Sequence, residues 1–207
     1  VHLVFDIFQA VGLSAAVGIR PFLPALAAGA LASGDVELTF THTGYAFLQS
    51  ATFLLALVIG VIILTFLERR FPDGGNGKGK GKPDEFLDQG PLAWVILLAG
   101  AAIAAIFFAG ELSRAHAIVW PGYIGGPVCA LIGAAAVRPL FARVRKRLDA
   151  DAAKALPLYA EGTAILLGVL SVLAPPVGPI GLALLLWLLI AGRSRGERKY
   201  AGLRILR

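Results

Sequence analysis

Long apolar runs alternate with short, strongly polar segments along the whole chain. A run of about 18 or more apolar residues can cross the ~30 Å hydrocarbon layer as a helix. The first apolar segment, from about Leu3 to Leu31, is too long for one simple span and is interrupted at Gly18-Ile19-Arg20-Pro21-Phe22-Leu23-Pro24. Two prolines three apart remove backbone donors and disfavour helix just before each of them. Five further runs follow, at about Tyr45–Leu67, Pro91–Ala109, Tyr123–Phe141, Leu156–Leu173 and Ile180–Ala191. The last is short, and reaches full length only if Pro176 to Pro179 lie within the membrane. The pattern predicts an all-α polytopic integral membrane bundle, a single domain over residues 1–207 with six transmembrane spans and broken helices.

The polar segments set the orientation. Short cytoplasmic loops carry an excess of Lys and Arg. With six spans, the 68–90 loop, the 138–156 loop and the carboxyl tail share one side and hold 5, 6 and 6 of the 19 Lys and Arg residues, 17 in all. The other side receives only Arg114, and Arg20 lies within the first segment. Both termini are therefore expected in the cytoplasm, with residues 72–90 as a flexible loop and residues 193–207 as a cationic tail. The Gly and Lys content of that loop cannot bury a core. Its Gly74-x-x-x-x-Gly79-Lys80 spacing lacks the Ser or Thr, the strand and the helix of a phosphate-binding loop.

Composition agrees with a membrane protein: 57% of residues are apolar and 15% charged, against about 25% charged in soluble domains. The net charge of +6 falls in the cytoplasmic loops and tail, where cations meet anionic lipid headgroups. It calls for no nucleic-acid partner. A lone cysteine, Cys129, forms neither an intramolecular disulfide nor a zinc signature. The chain has no Met, and Val1 reads as an alternative start codon, pointing to a bacterial cytoplasmic membrane. Ala30-Leu31-Ala32 looks like a signal cleavage site, but no cation precedes the apolar stretch and Arg20, Pro21 and Pro24 interrupt it, so no cleavage is expected.

The candidate chemistry is sparse. An arginine at mid-depth costs about 2.5–3.5 kcal/mol on insertion scales, so Arg20 should face protein or a water-filled cavity and have a partner. It is either a contact for an anionic solute or a clamp on the broken helix. Glu161, about one turn inside the fifth span, is the best-placed acidic partner or a proton-coupling carboxylate; its alternative is an interfacial glutamate. Arg20 and Glu161 are the candidate substrate-binding residues. Asp6 and Gln9 read as interfacial, and Glu111 and Arg114 as a local i,i+3 ion pair. The three histidines are scattered, and Ser14 lacks a nucleophile-elbow context. No catalytic, metal or cofactor residues are assigned and an enzyme is not expected. Gly125, Gly126, Ala130, Gly133 and Ala134 form a small-residue face suited to bundle packing or a homodimer. Ala16–Leu23 echoes Ala134–Phe141 three spans later, which would suit a three-plus-three inverted repeat.

Gly12-Leu13-Ser14-Ala15-Ala16 with Gly18-Ile19-Arg20-Pro21-Phe22 near the start, and Lys199-Tyr200-Ala201-Gly202-Leu203-Arg204 at the end, resemble the bacterial membrane family filed as domain of unknown function 4126. The resemblance spans nearly the whole chain and implies a small multi-span protein, without an activity or a site residue. From the residues themselves, the expected function is a transporter or permeation protein for a small anionic or polar solute. The alternative is a non-catalytic membrane scaffold or accessory subunit. A lipid-processing enzyme is disfavoured for want of clustered nucleophile, base or metal ligands.

Overall fold

The computed structural model describes residues 2–70, 91–145 and 150–201. The described residues form seven α-helices and one short 3-10 turn, with no strand among them: α1 (His2–Ile19), α2 (Phe22–Ser33), the turn at Ala46–Gln49, α3 (Ala51–Arg70), α4 (Pro91–Arg114), α5 (Trp120–Arg145), α6 (Ala150–Leu173) and α7 (Val177–Ala201). Helix is the structure that satisfies each backbone donor and acceptor within its own segment, as an apolar surrounding demands. Three stretches are long and apolar enough to cross a membrane: Trp94–Arg114, Trp120–Phe141 and Ala155–Leu173. The apolar parts of the other four helices are shorter, at Leu3–Ile19, Phe22–Ser33, Ala51–Phe66 and Val177–Ala191. The expected loop at 72–90, residues 146–149 of the basic cluster and the last six residues of the tail lie outside the described residues.

The first apolar segment departs from the expectation of one broken span. It makes two helices running in opposite directions, joined at Arg20-Pro21. Side by side, α1 and α4 are antiparallel: Asp6 meets Arg114, Ser14 faces the Ala104 carbonyl at 3.5 Å, and Gly100 lies against Val17 and Pro21. After the reversal, the Arg114 guanidinium reaches the Glu37 carbonyl just beyond α2, at 2.9 Å. The beginning of α1 and the end of α2 are thus at the same end of the bundle. Pro21 explains the turn, because it cannot donate to the α1 ladder and pushes Arg20 out of helical geometry.

Directions follow for the remaining helices. Gly122 and Gly126 lie against Ala109 and Ala104, so α5 is antiparallel to α4 and parallel to α1. Gly12 meets Ser171 and Ala16 meets Gly168, which makes α6 antiparallel to α1. From Gly178 beside Phe8 to Leu185 in one cluster with Ala15, α7 runs with α1. At one end of the bundle lie Asp6 and Arg114. At the other lie Arg20, the end of α3, the start of α4, the end of α5, the start of α6 and the far end of α7. The amino end of α1 and the carboxyl end of α7 are consequently at opposite ends, where the sequence pattern led us to expect them on one side.

The two echoing segments also differ. Arg20-Pro21 makes a chain reversal, whereas Arg138-Pro139 lies inside the continuous helix α5. An inverted relation would need α1 and α5 to run in opposite directions, and they run in the same one. Pro175 and Pro176 form the tight turn between α6 and α7, and Pro179 falls in the first turn of α7, where proline is tolerated.

Helix α1 is the axis of the fold. Every residue from Gln9 to Val17 is buried except Val11, which is half-buried, because α4, α5, α6 and α7 all pack on it. Small residues allow that approach. A Cβ on Gly18 would lie 2.0 Å from the Ala130 carbonyl oxygen, and one on Gly133 would lie 2.3 Å from the Ala15 carbonyl oxygen. The small-residue face of α5 is therefore filled by this chain's own α1 and α4.

Between α2 and α3, residues 34–50 fold back over the Arg114 end. Phe40 and Leu48 are fully buried and both reach Gly110; Phe40 packs edge-on to Phe107. Gln49 pins this segment by accepting from the Phe40 N–H at 2.9 Å and donating to Thr41 at 3.1 Å. Ser50 caps the Phe53 N–H at 3.3 Å, so α3 starts at Ala51, six residues later than the apolar run begins. The outer face of the bundle is apolar, with Leu55, Ile62, Phe66, Leu98, Ile124, Leu158, Ile180 and Ile190 all prominent on it. Trp94 and Trp120 are exposed near opposite ends. Gly122 lies against Ala109, so Trp120 is near the level of Glu111, about 17 residues or roughly 25 Å along α4 from Trp94, near the thickness of a hydrocarbon core.

Candidate functional site

Two polar loci sit at the two ends of α1, about 14 residues or 21 Å apart. The first contains the residues singled out from the sequence. Arg20, at the α1–α2 reversal, and Glu161, from α6, line one crevice with Phe22, Leu23, Val61, Leu64 and Thr65. Its volume is about 10 Å³, room for about one water. The reversal places Arg20 at the end of the bundle where the basic segments attach, so it escapes the cost of mid-depth burial. On the other flank of the same turn, Arg138 lines a second crevice of about 30 Å³ with Gly18, Ile19, Pro21, Gly100 and Ala130. The two Arg-Pro motifs therefore converge on one turn without being structural equivalents.

The Pro175–Pro179 turn does not join this locus. Gly178 lies against Phe8 and Gly12, at the other end of α1, so the two breaks do not line a common site.

The second locus was not anticipated. Asp6 and Gln9, one turn apart on α1, face Glu111 and Arg114, one turn apart on α4. Arg114 is the hub. Its Nη2 donates to a carboxylate oxygen of Asp6 and to Gln9 Oε1 at 2.5 Å, while Nη1 donates to the Glu37 carbonyl. Gln9 in turn donates to the Val172 carbonyl of α6 at 2.7 Å, tying three helices together. Glu111 Oε2 lies 3.1 Å from the same Nη2, yet neither oxygen of Glu111 accepts a hydrogen bond among the described residues. Glu111 is fully buried and Gln9 is 4% exposed, so neither behaves as an interfacial residue. The expected Glu111–Arg114 ion pair is present, within a larger cluster.

The missed signal was the matching of two i,i+3 polar pairs, Asp6/Gln9 and Glu111/Arg114, each on one face of an otherwise apolar helix. Either pair alone looks like a helix end meeting water. Beside the cluster, the Tyr45 and Tyr123 hydroxyls meet at 2.5 Å and link the 34–50 segment to α5. Cys129 is buried in the apolar packing between α1, α4 and α5, and no group of three or more metal-ligating side chains occurs among the described residues.

The chain matches no protein-family model, no curated protein and no solved structure.

Proposed function

We propose that this is a small integral protein of the bacterial cytoplasmic membrane that passes a small anionic or polar solute, with Arg20 and Glu161 as its solute contacts. The observation that carries this reading is their convergence: two polar residues 141 positions apart line one crevice. A guanidinium there offers a fork of donors to a carboxylate or a similar oxyanion. Glu161 serves as counter-ion when the solute is absent. A crevice the size of one water is a closed state, and passage requires the α1–α2 turn to move against α3 and α6.

The orientation we infer differs from a both-termini-inside scheme. Of the 12 Lys and Arg residues among those described, 11 lie at one end of the bundle, Arg20 included, and Arg114 lies at the other. By the positive-inside rule the basic end is cytoplasmic. The amino end of α1, the 34–50 segment and the Arg114 cluster then face the opposite side, and α2 forms a short helix packed against α3 and α6.

The test is thermal stability of the purified protein against a panel of small anions and polar solutes, beside Arg20→Gln and Glu161→Gln, followed by flux in vesicles. A solute that stabilises the native protein and not Arg20→Gln supports the assignment. Unchanged flux in both variants would refute it. The close helix contacts around α1 favour a second reading, a scaffold or accessory subunit with Arg20 as a clamp. In that case no solute stabilises the protein, and removing residues 193–207 abolishes its function in cells.

A further inference from the structure

We propose that Glu111 is a proton-binding site, its carboxyl group carrying a proton taken from water at the Arg114 end of the bundle. This inference concerns the second locus and stands whether or not a solute passes the first.

Donor bookkeeping at Arg114 carries it. A guanidinium Nη has two hydrogens, and those of Nη2 are committed to Asp6 and to Gln9. The Glu37 carbonyl takes a hydrogen of Nη1. The Nε hydrogen is buried and finds no acceptor. Glu111 Oε2 lies within 3.1 Å of Nη2 but no N–H is directed at it, and Oε1 has no hydrogen-bond partner either. A carboxylate with neither water nor donors is strongly disfavoured, and such a group neutralises instead. The charge count points the same way: one guanidinium faces two carboxyl groups. Asp6, whose side chain is 13% exposed, holds the direct bond. Glu111 is left to bind H⁺, passing from –COO⁻ to –COOH with no other bond made or broken.

The surrounding charges are few. From α1 comes Asp6. The segment after α2 presents the Glu37 carbonyl, with its side chain exposed, and α4 itself contributes Arg114. Beyond α4, His116 is exposed, and on α5 the Tyr123 hydroxyl is engaged by Tyr45. From α6 the contribution is the Val172 carbonyl, which Gln9 occupies. Asp6 is thus the group that competes with Glu111 for Arg114.

The experiment is infrared spectroscopy of the full chain in lipid at neutral pH, following the carbonyl stretch of protonated carboxyl groups in native protein, Glu111→Gln and Asp6→Asn. A protonated-carboxyl band in native protein that disappears in Glu111→Gln is the expected result. In Asp6→Asn the competing carboxylate is gone and Arg114 faces one carboxyl group, so Glu111 takes the negative charge and the band should also be lost while Glu111 is still present. A merely structural glutamate would not respond in this way. Absence of the band in native protein, its survival in Glu111→Gln, or its survival in Asp6→Asn would each overturn the proposal. If Glu111→Gln does not fold, the native and Asp6→Asn spectra still decide.

Discussion

Adding a single methyl group at Gly18 should loosen the central helix from its neighbour. The added Cβ would sit 2.0 Å from the Ala130 carbonyl oxygen and 2.6 Å from its carbonyl carbon and Cα. Real Cβ contacts do not fall below 3.0 Å, so about 1 Å of separation must open between α1 and α5. The obstacle is backbone, and no rotamer change relieves it. Overpacking of this kind costs about 1–3 kcal/mol, and a rigid backbone contact belongs in the upper part of that range. Replacing a helical glycine by alanine returns about 1 kcal/mol through propensity. The net loss in Gly18→Ala is then about 1–2 kcal/mol, a factor of roughly 5–30 in the folded-to-unfolded ratio. Gly162 on α6 is the matched control, since a Cβ there meets nothing within 4 Å. Gly162→Ala should be neutral or more stable, by up to about 1 kcal/mol. Equilibrium unfolding in mixed micelles, followed by circular dichroism, measures both variants. Gly18→Ala as stable as the native protein, or Gly162→Ala the weaker of the two, would refute the helix packing described.

Two other perturbations bear on the fold. Phe107→Ala empties the space between Phe40, Phe53 and the buried part of α4, and should cost about 3–5 kcal/mol in the same unfolding measurement; a loss under 1 kcal/mol would mean that the 34–50 segment does not pack there. For orientation, Thr41→Cys in a Cys129→Ala background should react with an impermeant thiol reagent in intact cells. Ser194→Cys should react only after the membrane is opened, and the reverse pattern would overturn the proposed orientation.

Much of the helical content was legible because an apolar run declares itself by length and by the lack of charge. The runs beginning at Pro91, Tyr123 and Leu156 became α4, α5 and α6 with ends shifted by a few residues. The reversal at Arg20-Pro21 was harder. Two prolines in an apolar segment are equally compatible with a kink inside one span and with a turn between two helices. What separates them is tertiary, namely that Asp6 and Glu37 both meet Arg114, and no local pattern carries that information. The consequence propagates, because one extra reversal exchanges the side of the amino terminus while leaving the basic segments together. Arg20 and Glu161 could be paired in advance because each is a conspicuous charge in apolar surroundings. Asp6, Gln9, Glu111 and Arg114 sit near helix ends, where charge is ordinary, and their partners come from elsewhere in the fold: Glu37 for Arg114 and Val172 for Gln9.

The central place of α1 sets a problem of timing. It leaves the ribosome before the other helices described, yet Gln9 finds the Val172 carbonyl 163 residues later. At about 5–20 residues per second, that partner appears roughly 10–30 s after Gln9 itself. Until α4 arrives, Asp6 has no arginine, and until α6 arrives, Gln9 has no carbonyl. Nascent chains that stop before α6 therefore hold the axis of the fold with only part of its sheath, and the final assembly step is the closing of late helices around α1.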